Sequence, residues 1–249
     1  MHARPLFLPC VSKSSSATQS ANKSHSDVRE IPDHQEVFLS PETLSTQIIE
    51  INQRVSKEDA LSTFSTLSHQ QPTLAAGSGA AATASAETVD QAAALYHLHD
   101  LCDEGDALQV VTPPQRVSPA RLAAGAPPGS TINAYKGVVT FVTPAKRGGR
   151  ALGAGDHGTA SSVSDAAVAG ATISGETSDL PPMSKVTCHY LLVRLEAQET
   201  DLLVLFNVPH EEFDKSGDPR GLSKEEVIAE ETMSVLAERF EIREWGLFV

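Results

Sequence analysis

Tyr190-Leu191-Leu192-Val193-Arg194-Leu195, followed by Leu202-Leu203-Val204-Leu205-Phe206-Asn207-Val208, decides the fold. Six residues, Glu196 to Asp201, separate the two runs. That length permits a hairpin and therefore antiparallel pairing. The second run is apolar nearly throughout, as expected of a strand covered on both faces.

Working outward, Ala134 to Val142 is β-rich and ends before Pro144, and Glu36 to Leu39 and Gln47 to Ile51 read as short strands. Thr88-Val89-Asp90-Gln91 matches a capping box that opens a helix through about Cys102, with Val89, Ala92, Ala93 and Tyr96 on one face. Ser223-Lys224-Glu225-Glu226 is a second such box, starting a helix to about Phe240 whose buried stripe is Ala229, Met233, Leu236 and Phe240. The ending Trp245-Gly246-Leu247-Phe248-Val249 is expected to dock on the body, since exposed it would invite aggregation. Strands and helices are mixed, hairpins dominate and no βαβ alternation occurs. The class is therefore α+β, an antiparallel sheet with helices packed on it.

Three stretches lack an apolar period and are expected to be weakly ordered: a Ser-rich tail at 1–26, and insertions at about 65–86 and 145–184. They leave 27–249 as a single domain with long loops.

The chain has 249 residues and a hydrophobic content of 40%, enough for a core, although aromatics are sparse at 5%. A net charge of −13 argues against nucleic acid or anionic lipid as a partner, because both need clustered Lys and Arg. An acidic surface instead suits a basic protein partner. Cys10, Cys102 and Cys188 lie far apart with no CxxC pair, which gives neither a disulfide framework nor a zinc site. A reducing compartment, cytosol or nucleus, is the simplest inference. No apolar run approaches the roughly 18 to 20 residues of a membrane span. Leu6 to Val11 is too short and proline-broken for a secretory core. The acid-free residues 1–26 faintly resemble an organellar transit peptide, but arginine is scarce there and no amphipathic pattern occurs.

Several motifs lead nowhere. Gly153-Ala154-Gly155-Asp156-His157-Gly158 matches GxGxxG but lacks the strand before and the helix after that a dinucleotide site requires. His97, His99 and Cys102 do not make a chelate, because residues two apart on a helix point to different sides. Packing or a hydrogen bond at a helix end suits these histidines better. Asn22-Lys23-Ser24 is a formal glycosylation sequon without meaning in a reducing compartment. No serine carries a nucleophile-elbow pattern. The expectation is a protein with no enzymatic chemistry and no cofactor.

Arg29-Glu30-Ile31-Pro32-Asp33-His34-Gln35-Glu36-Val37-Phe38 delivers two acids from a proline turn into strand-like sequence. Three further segments follow in order: Ala92 to Leu101, Leu191 to Pro209 and Phe240 to Phe248. Together they resemble the Ran guanine nucleotide release factors over about 27–64, 87–144 and 185–249. The resemblance implies an α/β/α sandwich shared with the photosystem protein PsbP, with a central antiparallel sheet and helices on both faces. It implies binding to the small GTPase Ran, release of its guanine nucleotide, a role in nuclear protein import, and a monomer working in nucleus and cytoplasm, with or without another Ran-binding protein. In the family, the two acids of the Pro-Asp-x-x-Glu motif serve Ran binding; they match Asp33 and Glu36, with Arg29, Glu30 and His34 as rim contacts. Family members begin with a strand carrying a Gly-Gly pair, and nothing before Asp27 resembles it. A missing first strand would expose a sheet edge beside the acids. The alternatives are a Ran-binding scaffold of the same fold without exchange activity, and a PsbP-like organellar protein.

Overall fold

Met183–Leu195 and Thr200–Pro209 form the antiparallel hairpin that the apolar runs predict, with Leu195 opposite Thr200. The computed structural model describes residues 33–71, 74, 85–144 and 183–247, with the side chain of residue 247 not described. In chain order the strands are β1 (Gln35–Leu39), β2 (Thr46–Gln53), β3 (Ala107–Val117), β4 (Ile132–Pro144), β5 (Met183–Leu195) and β6 (Thr200–Pro209). The helices are α1 (Lys57–Gln70), α2 (Ala86–Asp100), α3 (Ala120–Gly125), α4 (His210–Ser216) and α5 (Pro219–Arg239). The strands make one sheet in the order β1-β2-β6-β5-β4-β3, antiparallel throughout.

The hairpin occupies the middle of this sheet, which explains its composition. Tyr190, Leu192, Leu203 and Leu205 point to one face and pack with Ala93, Leu95 and Leu98 of α2 and with Ala60 and Leu67 of α1. Their strand neighbours Leu191, Val193, Leu202 and Val204 point to the other face and pack with Met233 and Ala237 of α5 and Leu122 of α3. A strand with helices on both sides has no solvated face, so alternation vanishes into a continuous apolar run. The α+β class and the helix–sheet–helix layering expected from the sequence are both present.

Local chemistry shifts several boundaries. Helix α2 begins at Ala86, because the Ser85 hydroxyl accepts the Thr88 N–H at 3.1 Å. Thr88 is thus inside the helix, not at its cap. Helix α5 likewise begins at Pro219, with Asp218 Oδ1 accepting from the Gly221 N–H at 2.9 Å. A proline at the first helical position loses no needed donor. Ser223 lies within the helix, its hydroxyl donating to the Pro219 carbonyl at 3.1 Å. Ala229, Met233 and Ala237 are buried on α5, while Leu236 and Phe240 are half-buried.

One element runs against the sequence reading and a second lies outside it. Residues 65–70, expected to begin a weakly ordered insertion, are the second half of α1, which Ser56 caps. Strand β3 contains Pro113 and Pro114; it tolerates them because it is the sheet edge, and its pairing with β4 shifts register on either side of Thr112. The second insertion ends by Met183, where β5 starts, and β4 runs on to Pro144, which pairs with Met183. The tail at 1–26, most of 72–84 and 145–182, and the motifs within them lie outside the described residues. At the other end, Trp245 packs beside Ile242 and Phe240 against the α5-side core, while Phe248 and Val249 of the segment expected to dock lie outside the described residues.

Candidate functional site

Among the described residues β1 is an edge strand, and its entrance carries the acids. Asp33 and His34 form a turn, and the Ile51 N–H donates to the His34 carbonyl at 3.0 Å. Pairing continues with Gln35 opposite Glu50, Glu36 opposite Ile49 and Val37 opposite Ile48. Opposed residues share a face, so Glu36 stands on the α5 side with Ile49. The side chains of Asp33 and Glu36 are exposed and take no hydrogen bond or ion pair from the described residues. His34 is also exposed, with Nε2 3.9 Å from Glu50 Oε1. The structure therefore brings together three of the five residues expected at the site. Arg29 and Glu30 lie outside the described residues.

The hairpin bearing these acids is fastened at both ends. At its closed end the Ser40 N–H donates to the Ser45 carbonyl at 3.0 Å. Thr43 Oγ1 donates to Glu225 Oε1 of α5 at 2.9 Å, and the Leu44 N–H donates to Glu212 Oε2 of α4 at 2.7 Å. At the open end Val55, just past β2, is gripped by both backbone groups. Its N–H donates to Asp201 Oδ2 at 3.0 Å, and its carbonyl accepts from Arg194 Nη2 at 2.9 Å. Two anchors make the edge hairpin a fixed platform for its acids.

The open-end anchor belongs to a buried ionic network that no sequence motif announced. Arg194 Nε donates to Asp201 Oδ1 and Nη1 to Asp90 Oδ1, each at 2.9 Å. His97 Nε2 lies 2.9 Å from Asp201 Oδ2, and Asn133 Nδ2 donates to Asp90 Oδ2 at 2.9 Å. Arg194 is 1% exposed and Asp201 fully buried. Burial pushes the Asp201 carboxyl up, but the His97 hydrogen bond, the Arg194 charge and the Val55 N–H together hold it below its ordinary value. The available signal was charge placement: Arg194 interrupts an apolar strand, and Asp90 sits beside Val89 on the apolar face of α2. Every charge in the network is answered by another, so its work is structural.

The same geometry disposes of the metal-like trio. His97 is turned to Asp201, His99 is exposed, and Cys102 Sγ donates to the Leu98 carbonyl at 3.7 Å. Burial, then Asp106 and Asp103, push the Cys102 thiol up to about 11, away from a reactive thiolate. Among the described residues no group of His, Cys, Asp and Glu could hold a metal ion.

A family model described as Mog1, Ran-interacting Mog1 protein, matches residues 16–209, a span that holds both acids and the six strands found among the described residues. No curated protein matches the chain. Among solved structures, the 1.9 Å crystal structure of the Ran-binding protein Mog1p of Saccharomyces cerevisiae matches at 15% identity. That match covers 77% of this chain and 70% of that one, with a TM-score of 0.32.

Proposed function

The chain belongs to the Ran-interacting Mog1 family, and from that premise we propose that it binds the small GTPase Ran and promotes release of its guanine nucleotide, in support of nuclear protein import. The observation that carries this reading is the exposed acid pair, Asp33 and Glu36, bonded to no described residue, on an edge hairpin fastened at both ends. Carboxylates default to exposure, so exposure alone says little. Two exposed acids at the entrance of a braced strand form a preorganised docking point for basic side chains.

GTPases hold nucleotide through backbone amides, a lysine and magnesium around the phosphates. A rigid carboxylate pair weakens that grip by drawing basic side chains of the GTPase outward, or by disfavouring the magnesium-loaded switch conformation. No covalent step is involved. Coupling is reciprocal, so a factor that releases nucleotide binds nucleotide-free Ran more tightly than loaded Ran. His34 lies beside the acids and is the rim contact that belongs with them, while Arg29 and Glu30 extend the site along the sequence.

The test is release of a fluorescent guanine nucleotide from loaded Ran in the presence of this chain. Acceleration that saturates with concentration supports the reading. Binding without acceleration would select a scaffold of the same fold, and no binding would sink the proposal. Nuclear and cytoplasmic location of a tagged full-length chain is the expected cellular counterpart, and an organellar location would contradict it.

A further inference from the structure

On the α5 side of the sheet, one row of side chains crosses the strands from Ala134 on β4 through Val193 on β5 and Leu202 on β6 to Ile51 on β2. The first three are buried in the cluster that holds Met233 and Ala237 of α5. The row then runs out into solvent, because Ile51 is 46% exposed. The next row makes the same passage by degrees: Leu191 and Val204 are buried, Ile49 is half-buried and Glu36 on β1 is exposed.

A single exposed isoleucine is ordinary. Ile51 is set apart by what it is joined to. Its N–H donates to the His34 carbonyl at 3.0 Å, so it lies directly across from the turn that carries Asp33. Glu36 pairs with Ile49, two residues before Ile51, which makes Glu36 and Ile51 diagonal neighbours on one face, within reach of a single long side chain. The other exposed apolar residues of this hairpin, Leu39 and Leu44, lie at its closed end, and Leu39 stands on the opposite face with Val37. The acids and an apolar step are thus fixed to one another by the same strand pairing.

We propose that Ile51 is the apolar anchor of the docking surface and takes an apolar side chain of the GTPase that lies next to a basic one. The inference rests on the reading that Asp33 and Glu36 engage Ran, and divides the labour within that contact. Exposed charges steer the encounter and lose force with salt, whereas apolar surface shut off from water holds the complex once it has formed. A partner side chain seated on Ile51 adds one more member to the packed row behind it, and its basic neighbour then meets the carboxylates.

The experiment measures association and dissociation rates of full-length chains with nucleotide-free Ran at low and raised salt. The chains are wild type, Ile51→Asn, Ile51→Thr, Asp33→Lys with Glu36→Lys, and Val111→Asn. Val111, 61% exposed on β3 at the other edge of the sheet, is the control for losing an exposed apolar side chain. Ile51→Asn is expected to speed dissociation about tenfold or more at either salt concentration with little change in association, and Ile51→Thr to do so less. The acid-pair variant is expected to slow association, by a factor that shrinks as salt rises. Thermal unfolding is followed for each, and should the asparagine variant misfold, the threonine variant, which keeps a β-branched residue in the strand, decides. Ile51 variants with wild-type rates beside an acid-pair variant that loses binding would overturn this inference alone, as would an equal loss from Val111→Asn. A wild-type chain that fails to bind Ran overturns the docking reading and this inference with it.

Discussion

In the central hairpin, β5–β6, Asp201 is fully buried and answers His97, Arg194 and the Val55 N–H; in the edge hairpin, β1–β2, Asp33 and Glu36 face solvent and bond to no described residue. The same functional group does two jobs because the two places differ in burial. A carboxylate inside the sandwich must be matched, and the matched group fixes the fold. A carboxylate at the rim keeps its bonding capacity for another molecule. The two regions are also joined: Val55, held by Asp201 and Arg194, closes the open end of the hairpin that presents Asp33 and Glu36.

The comparison breaks most visibly at Arg194. Arg194→Met would leave Asp90 and Asp201 buried without their shared cation and is expected to cost about 3–5 kcal/mol, read as a lower denaturant midpoint. An unchanged midpoint would mean that the network does not hold the centre. The central hairpin itself was legible from sequence, because a strand covered on both faces writes its burial as an unbroken apolar run. The network was not, since Arg194 and Asp201 on the hairpin lie 104 residues from their partners Asp90 and His97 on α2, and the pairs meet only where the helix packs on the sheet. Helix α1 was hidden for another reason: it is rich in Ser and Thr and buries little beyond Ala60 and Leu67. Strand β3 was masked by its prolines. The acid pair was legible only through resemblance, as no spacing distinguishes a docking acid from any solvated edge.

A smaller loss is expected at Gly137 in β4. A β-carbon there would meet the Tyr190 hydroxyl and lie 2.7 Å from the Thr112 carbonyl, so Gly137→Ala should cost about 1–3 kcal/mol by thermal or chemical unfolding. Acid titration separates the two kinds of carboxylate more finely. The folded Asp201 carboxyl titrates below its ordinary value of 3.8, so its contribution is present above that pH and lost as pH falls through the folded value. Asp201→Asn should flatten the steep acid limb of stability below about pH 4 relative to wild type. An acid limb unaltered by that substitution would assign the loss to other carboxyls.

The smallest effect on stability is expected where the effect on function is largest. Asp33→Lys with Glu36→Lys removes no bond to a described residue and should shift unfolding by no more than about 0.5 kcal/mol. Stopped-flow release of a fluorescent guanine nucleotide from Ran, measured for this variant beside wild type, tests the central claim most directly. The account predicts accelerated release by the wild-type chain and release at Ran's intrinsic rate with the folded variant. A folded variant that accelerates release as well as wild type would contradict it.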